Sequence, residues 1–315
     1  MTARLSLNRR DFLAASAVLA GSSLIPTGSL LATTGAGRIP YEKRLADRHW
    51  MWGHDPGAYD GPKGVYKIPL SKPMSMAEGI KYMGIPNVCV IRYGHPNEEY
   101  REQFKEVKRV AWNLGSSNKS YYALKDYVFS LFETMPNLVG VYLDDFFQGG
   151  PLVKEKNEKG EEFEVTPAAL SLEEMYKLKQ ELHARKKRVD LAAVLYSGQL
   201  KPEIKHALGY ADVISFWTWT GKDVMKLREN FETYRKIMPG KKTLLGLYMW
   251  DFGGKQPIDL DFMKHQLEFA LELFRKGQID GTIFHCTPLC NKNLEAVEYS
   301  KKWIAETANE TQDKK

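Results

Sequence analysis

The chain has only three cysteines, too few and too loosely spaced to build a disulfide framework or a cysteine zinc site. Cys89 and Cys286 lie inside apolar runs and Cys290 follows shortly after, so all three read as buried free thiols. No cysteine precedes Cys89, which excludes a lipid anchor at the end of an N-terminal leader. Long apolar runs are missing too. Gly21, Pro26, Thr27 and Gly28 interrupt the weakly apolar stretch that ends near Ala32 before it reaches the roughly 20 residues a membrane span needs. No lysine or arginine cluster interleaves with aromatics on one face, so a formal charge of +6 does not point to nucleic acid. No glycine-rich fingerprint follows the first apolar run, which argues against an open nucleotide-binding sheet, the runner-up architecture.

What is present begins with Ser6-Leu7-Asn8-Arg9-Arg10-Asp11-Phe12-Leu13, followed by an Ala/Ser/Gly-rich stretch. This order of charged, apolar and small residues resembles a twin-arginine export signal over residues 1–35. The resemblance implies a periplasmic or secreted protein, residues 36–315, with no stable membrane anchor after cleavage.

From His49 onward, short apolar runs alternate with amphipathic stretches. The runs are 49–52, 87–91, 109–112, 138–147, 190–195, 211–216, 243–249 and 281–284. Between the later ones, Met175, Leu178 and Leu182, then Leu227, Phe231, Tyr234 and Ile237, then Phe262, Leu267, Phe269, Leu271 and Phe274 recur at helical spacing. Ser171 is placed to cap a helix with Glu173 and Glu174 in its first turn, and Pro239-Gly240 to stop one before the seventh run. Eight strand-helix units with no element left over predict a single-domain α/β fold, the (β/α)8 TIM barrel. A hydrophobic content of 43% is enough to fill its core. One charged insertion, at about 149–167, breaks the rhythm; it is either a hairpin turning at Glu158-Lys159-Gly160 that walls one side of the barrel mouth or a passive solvated loop.

The chain is organised around its fourth run, Leu138 to Phe147, which is continuously apolar until it meets Asp144 and Asp145. Acids at the carboxyl end of a buried parallel strand stand where such folds place their chemistry. The other run ends add His54, Asp55, Arg92, Asn113, Tyr196, Trp217, Trp219, Trp250, Asp251 and His285. Aromatic faces stack on a pyranose, polar groups satisfy its hydroxyls, and two acids can run hydrolysis. Runs four and seven both read G-x-Y-x-x-D-F, which puts Asp145 and Asp251 at corresponding positions. Alternation along the strand favours Asp144 as the inward acid, and the correspondence with Asp251 favours Asp145. A buried-strand Arg92 needs a carboxylate, from Asp55 or Asp144, or else serves as the clamp for a uronic acid.

Strand ends three places apart in an eight-stranded ring lie roughly 14 Å apart, which two Asp side chains close to about 9 Å. That separation falls in the roughly 6.5–9.5 Å window of inverting glycosidases. Acids on strands four and seven beneath an aromatic rim resemble the (β/α)8 glycoside hydrolases. The resemblance implies catalysis by Asp144, Asp145 and Asp251, with the remaining run-end residues binding a carbohydrate, and no metal or cofactor. Many of those families carry an Asn-Glu pair on strand four, which this chain replaces with Asp144-Asp145. A metal-dependent barrel hydrolase or sugar isomerase, and an inert sugar-binding barrel, stay open as alternatives. The metal reading has only a generic ligand set, since no His-x-His follows the first run and no Glu ends any run.

Overall fold

A computed structural model describes residues 43–61 and 64–312; the leader expected at 1–35 lies outside them. Eight parallel strands close into a barrel in the order β1 (His49–Gly53), β2 (Asn87–Val90), β3 (Arg109–Asn113), β4 (Leu138–Leu143), β7 (Asp190–Tyr196), β8 (Val213–Trp217), β9 (Lys242–Tyr248) and β10 (Gly281–His285), which pairs back with β1. The chain is a single-domain (β/α)8 barrel. Each of the eight apolar runs forms a barrel strand, because only a strand buried on both faces tolerates such continuous apolarity.

The helices pack outside. Ser171 caps α4 (Leu172–His183) by accepting from the Glu174 amide at 3.3 Å, while Glu174 accepts from the Ser171 amide at 2.8 Å, closing a reciprocal cap. Ahead of β9, α7 (Leu227–Ile237) ends before Gly240, whose φ of +71° reverses the chain. Among the described residues no helix is long and apolar enough to cross a membrane. The three cysteines are free and buried.

Inside the barrel, alternate residues stack in layers. Trp52, Tyr142, Trp217, Tyr248 and His285 fill the upper interior, with the Trp52 ring 5.4 Å from both Tyr142 and Trp217. Gly246 makes this possible, since a β-carbon there would fall 2.1 Å from Cε3 of Trp217. The amino ends are closed by a polar plug. His49 Nδ1 lies 2.8 Å from Thr282 Oγ1, Asn87 donates to the His49 carbonyl at 2.8 Å, and Arg109 Nε donates to Asn87 Oδ1 at 3.0 Å. The two ends of the described barrel meet at this closed face, where the Leu45 amide donates to the Glu310 carbonyl at 2.8 Å and Arg44 bridges Thr311.

The charged insertion is a hairpin, β5 (Val153–Lys156) and β6 (Glu162–Val165), turning at Gly160 with φ of +79°. None of its residues lines the cavity at the strand ends. The Phe163 ring stacks on His206 at 4.3 Å, Tyr210 bonds Glu158, and Glu155 accepts from the Leu172 amide at 2.7 Å, so the hairpin leans outward over α4 and α5 (Ile204–Leu208).

Candidate active site

The strand ends surround a cavity of about 510 Å³. Tyr142 points into the barrel, so Asp144, two residues on, continues the same face and stands half-buried in the cavity lining. A regular pleat would turn Asp145 toward the helices. Its φ is +43°, a left-handed conformation costly for a residue with a β-carbon, and this twist brings its carboxylate to the cavity as well. Both acids that alternation would have separated therefore line one wall.

Their partners are few. The Asp145 amide donates to Asp144 Oδ1 at 2.9 Å and the Tyr93 hydroxyl donates to Oδ2 at 3.2 Å. Tyr196 donates to Asp145 Oδ1 at 2.8 Å. Burial, followed by the neighbouring Asp145 charge, pushes the Asp144 carboxyl up to about 7, and the Tyr93 and amide hydrogen bonds offset only part of this.

Aromatic rings form the rest. Trp219 lies 5.8 Å from both Phe252 and Tyr248 and 6.0 Å from Tyr196, and Phe252 lies edge-on to His285 at 4.5 Å. Trp217 also lines the cavity but is buried, with its Nε1 donating to Ser215 at 2.9 Å. His54 lines it beside Tyr59, whose hydroxyl is 2.9 Å from Nε2. Burial lowers His54 to about 4 against the opposing pull of Asp55, and burial holds His285 far below the ordinary histidine range, so both rings are neutral at pH 7.

Of the residues singled out from sequence, Asp144, Asp145, His54, Tyr196, Trp217, Trp219 and His285 converge on the cavity, whereas Asp251, Asp55, Arg92, Asn113 and Trp250 do not line it. Gly140 and Tyr142 do match Gly246 and Tyr248 inside the barrel, but the two strands diverge at the acids. After β9 the chain folds back, pairing Asp251 with Gln256, and Asp251 Oδ1 accepts from the Gly254 amide at 2.7 Å. Asp251 thus lies outside the cavity lining, where the sequence had set it opposite the strand-four acids. Arg92 pairs with Asp55 beside the cavity, with Tyr100 donating to Asp55 at 2.7 Å and its ring 4.4 Å from the guanidinium. Asn113 accepts from the Gly115 amide at 3.0 Å and shapes the turn after β3. Trp250 donates at 3.2 Å to the Tyr66 carbonyl and supports the first loop.

Several lining residues were not foreseen: Tyr59 and Tyr66 on the first loop, Tyr248 and Phe252 at the seventh strand, and Asp223 on α6 (Gly221–Val224) after β8. The inward pleat position would have identified Tyr248. Among the described residues no three His, Cys, Asp or Glu side chains are grouped so as to hold a metal ion.

Solved structures share this fold at low identity. Active domain 2 of a chitinase from Pyrococcus furiosus matches with a TM-score of 0.51 at 13% identity, over 88% of this chain and 98% of that one. The spore cortex-lytic enzyme of Bacillus megaterium gives 0.53 at 10%, over 87% and 76%. A glycoside hydrolase family 5 mannosidase from Rhizomucor miehei gives 0.51 at 9%, over 73% and 87%. No family model and no curated protein matches the sequence. The chain has the closed (β/α)8 fold found in barrel glycoside hydrolases.

Proposed function

We propose that this barrel hydrolyses glycosidic bonds of an oligo- or polysaccharide, with Asp144 as the acid that protonates the leaving oxygen. The observation that carries the reading is a carboxyl raised to about 7 in the lining of an aromatic-rich cavity. A general acid must hold its proton near the working pH, and burial beside a like charge is a general way to arrange that. Trp219 and Phe252 offer faces on which a sugar ring stacks, while the Tyr59, Tyr66 and Tyr196 hydroxyls and the Ser197 hydroxyl offer hydrogen bonds to its oxygens. Asp145, held by Tyr196, keeps the proton on Asp144 by its charge and steadies positive charge developing on the sugar. Support also comes from the ligands of proteins with this fold: the Pyrococcus domain was crystallised with chito-oligosaccharides and the Rhizomucor enzyme with mannosyl-fructose.

The test is sugar release by the purified barrel from nitrophenyl glycosides and from oligosaccharides of glucose, mannose, xylose and N-acetylglucosamine, with and without chelator. Release should survive chelation, fall by about 10²–10⁴ in Asp144→Asn, and decline above pH 7 as Asp144 loses its proton. Activity abolished by chelator and restored by a divalent metal would replace this reading with a metal-dependent one.

A further inference from the structure

Asp144 and Asp145 rise from one strand end and are tied together through the Asp145 amide, so they share one wall of the cavity. Hydrolysis by direct displacement needs a second carboxylate on the opposite side of the sugar, where water attacks. Asp251 does not supply it. The cavity does hold a third carboxylate, Asp223, carried two strands further round the barrel by the loop after β8.

Resting on the glycosidase reading above, we propose that Asp223 is the general base of an inverting hydrolysis. Its Oδ2 is oriented by the Thr220 hydroxyl at 2.5 Å, and the same hydroxyl accepts from the Asp223 amide at 3.2 Å. Thr220 therefore fixes the side chain through one oxygen, on a residue that lines the cavity. The loop is braced by a neighbouring acid. Asp251 Oδ2 packs so closely on Gly221 that a β-carbon there would come within 2.9 Å of it. The acid that the strand pattern offered as a partner thus supports the residue that takes that role. An inverting reaction of this kind calls for roughly 6.5–9.5 Å between acid and base, room for a water between them.

In the proposed step a water oxygen bonds to the anomeric carbon from the Asp223 side and gives its proton to Asp223. The carbon–oxygen bond to the leaving group breaks, and the departing oxygen takes the proton of Asp144. Solvent then returns the proton from Asp223 to Asp144, leaving both acids as they began.

Residue 223 also closes the first turn of α6, so a purely structural role must be separated from a chemical one. On whichever member of the panel is turned over, the new anomer is followed by proton NMR in the first minutes. Kinetics are compared for Asp144→Asn, Asp223→Ala and Thr220→Val, with and without azide. Support consists of an anomer opposite to that of the substrate, a kcat loss of about 10²–10⁴ in Asp223→Ala with KM changed less than about threefold, and recovery in azide with glycosyl azide as product. Thr220→Val, which breaks the cap but keeps the carboxylate, should lose less than about tenfold. A product that keeps the substrate's anomeric configuration overturns the assignment. So does Asp223→Ala retaining activity while Asp144→Asn is inactive, or Thr220→Val reproducing the whole loss without azide recovery. No release by the unaltered protein on any substrate overturns the glycosidase reading itself.

Discussion

Asp212 and Asp144 stand at opposite ends of the same barrel, and their carboxyls move in opposite directions. Asp212 lies just before β8 on the closed face, with a side chain only 6% exposed. Burial pushes it up, but the Leu191 amide, His183 and Lys179 outweigh burial and hold it below the ordinary carboxylate value. Arg188 adds a further bond at 2.9 Å. At the mouth, Asp144 has one tyrosine hydroxyl, one amide and a like charge for neighbours, so burial wins and the proton stays. Desolvation acts on both acids; the supply of positive partners decides which one keeps its charge and which one keeps its proton.

The largest way to break this comparison is Asp212→Ala. It leaves Arg188 and His183 facing an empty buried site and should cost about 3 kcal/mol or more by denaturant unfolding, with activity per folded molecule unchanged. The contribution of Asp212 should be present above the unfolded carboxyl value near 4 and disappear as pH falls through the lower folded value. Asp144→Asn should do the reverse. The native state holds an Asp144 proton that the unfolded chain has already released, so stability of the unaltered protein declines as pH climbs from about 4 to about 7. Removing the carboxylate should therefore raise stability at pH 8 by about 1–2 kcal/mol, a few degrees of melting temperature, while lowering the proposed hydrolysis by about 10²–10⁴. Equal melting curves at pH 8 would count against a destabilised acid. The smallest effect should come from Tyr93→Phe. Its hydroxyl favours the charged form of Asp144, so its loss should move the basic limb of kcat/KM upward by about half a pH unit.

The barrel was legible because eight buried strands leave eight uninterrupted apolar runs, each followed by a capped amphipathic helix or a turn. The acids on the fourth strand were legible for the same reason, as the only paired charges at the end of such a run. Asp251 lies off the cavity because the match between strands four and seven reflects interior packing: Gly246 makes room for Trp217, and Tyr248 fills the layer beside it. That logic stops where the strand stops, and beyond it the turn to Gly254 decides where the carboxylate goes. Asp223 was hidden in Thr220-Gly221-Lys222-Asp223, a pattern that reads as an ordinary helix cap. Tyr59 and Tyr66 sit on a loop held by Asp60 and Lys292, an ion pair at 2.6 Å between residues 232 positions apart, which no local pattern reveals.

The joining of Leu45 to Glu310 at the closed face bears on how the protein can be handled. A bead, a surface or a second domain joined at residue 43 or residue 312 is attached beneath the barrel, on the side away from the strand carboxyl ends. A support loaded through either end, or through both, would therefore present the cavity outward, so that a long or insoluble ligand could reach it without the attachment standing in the way.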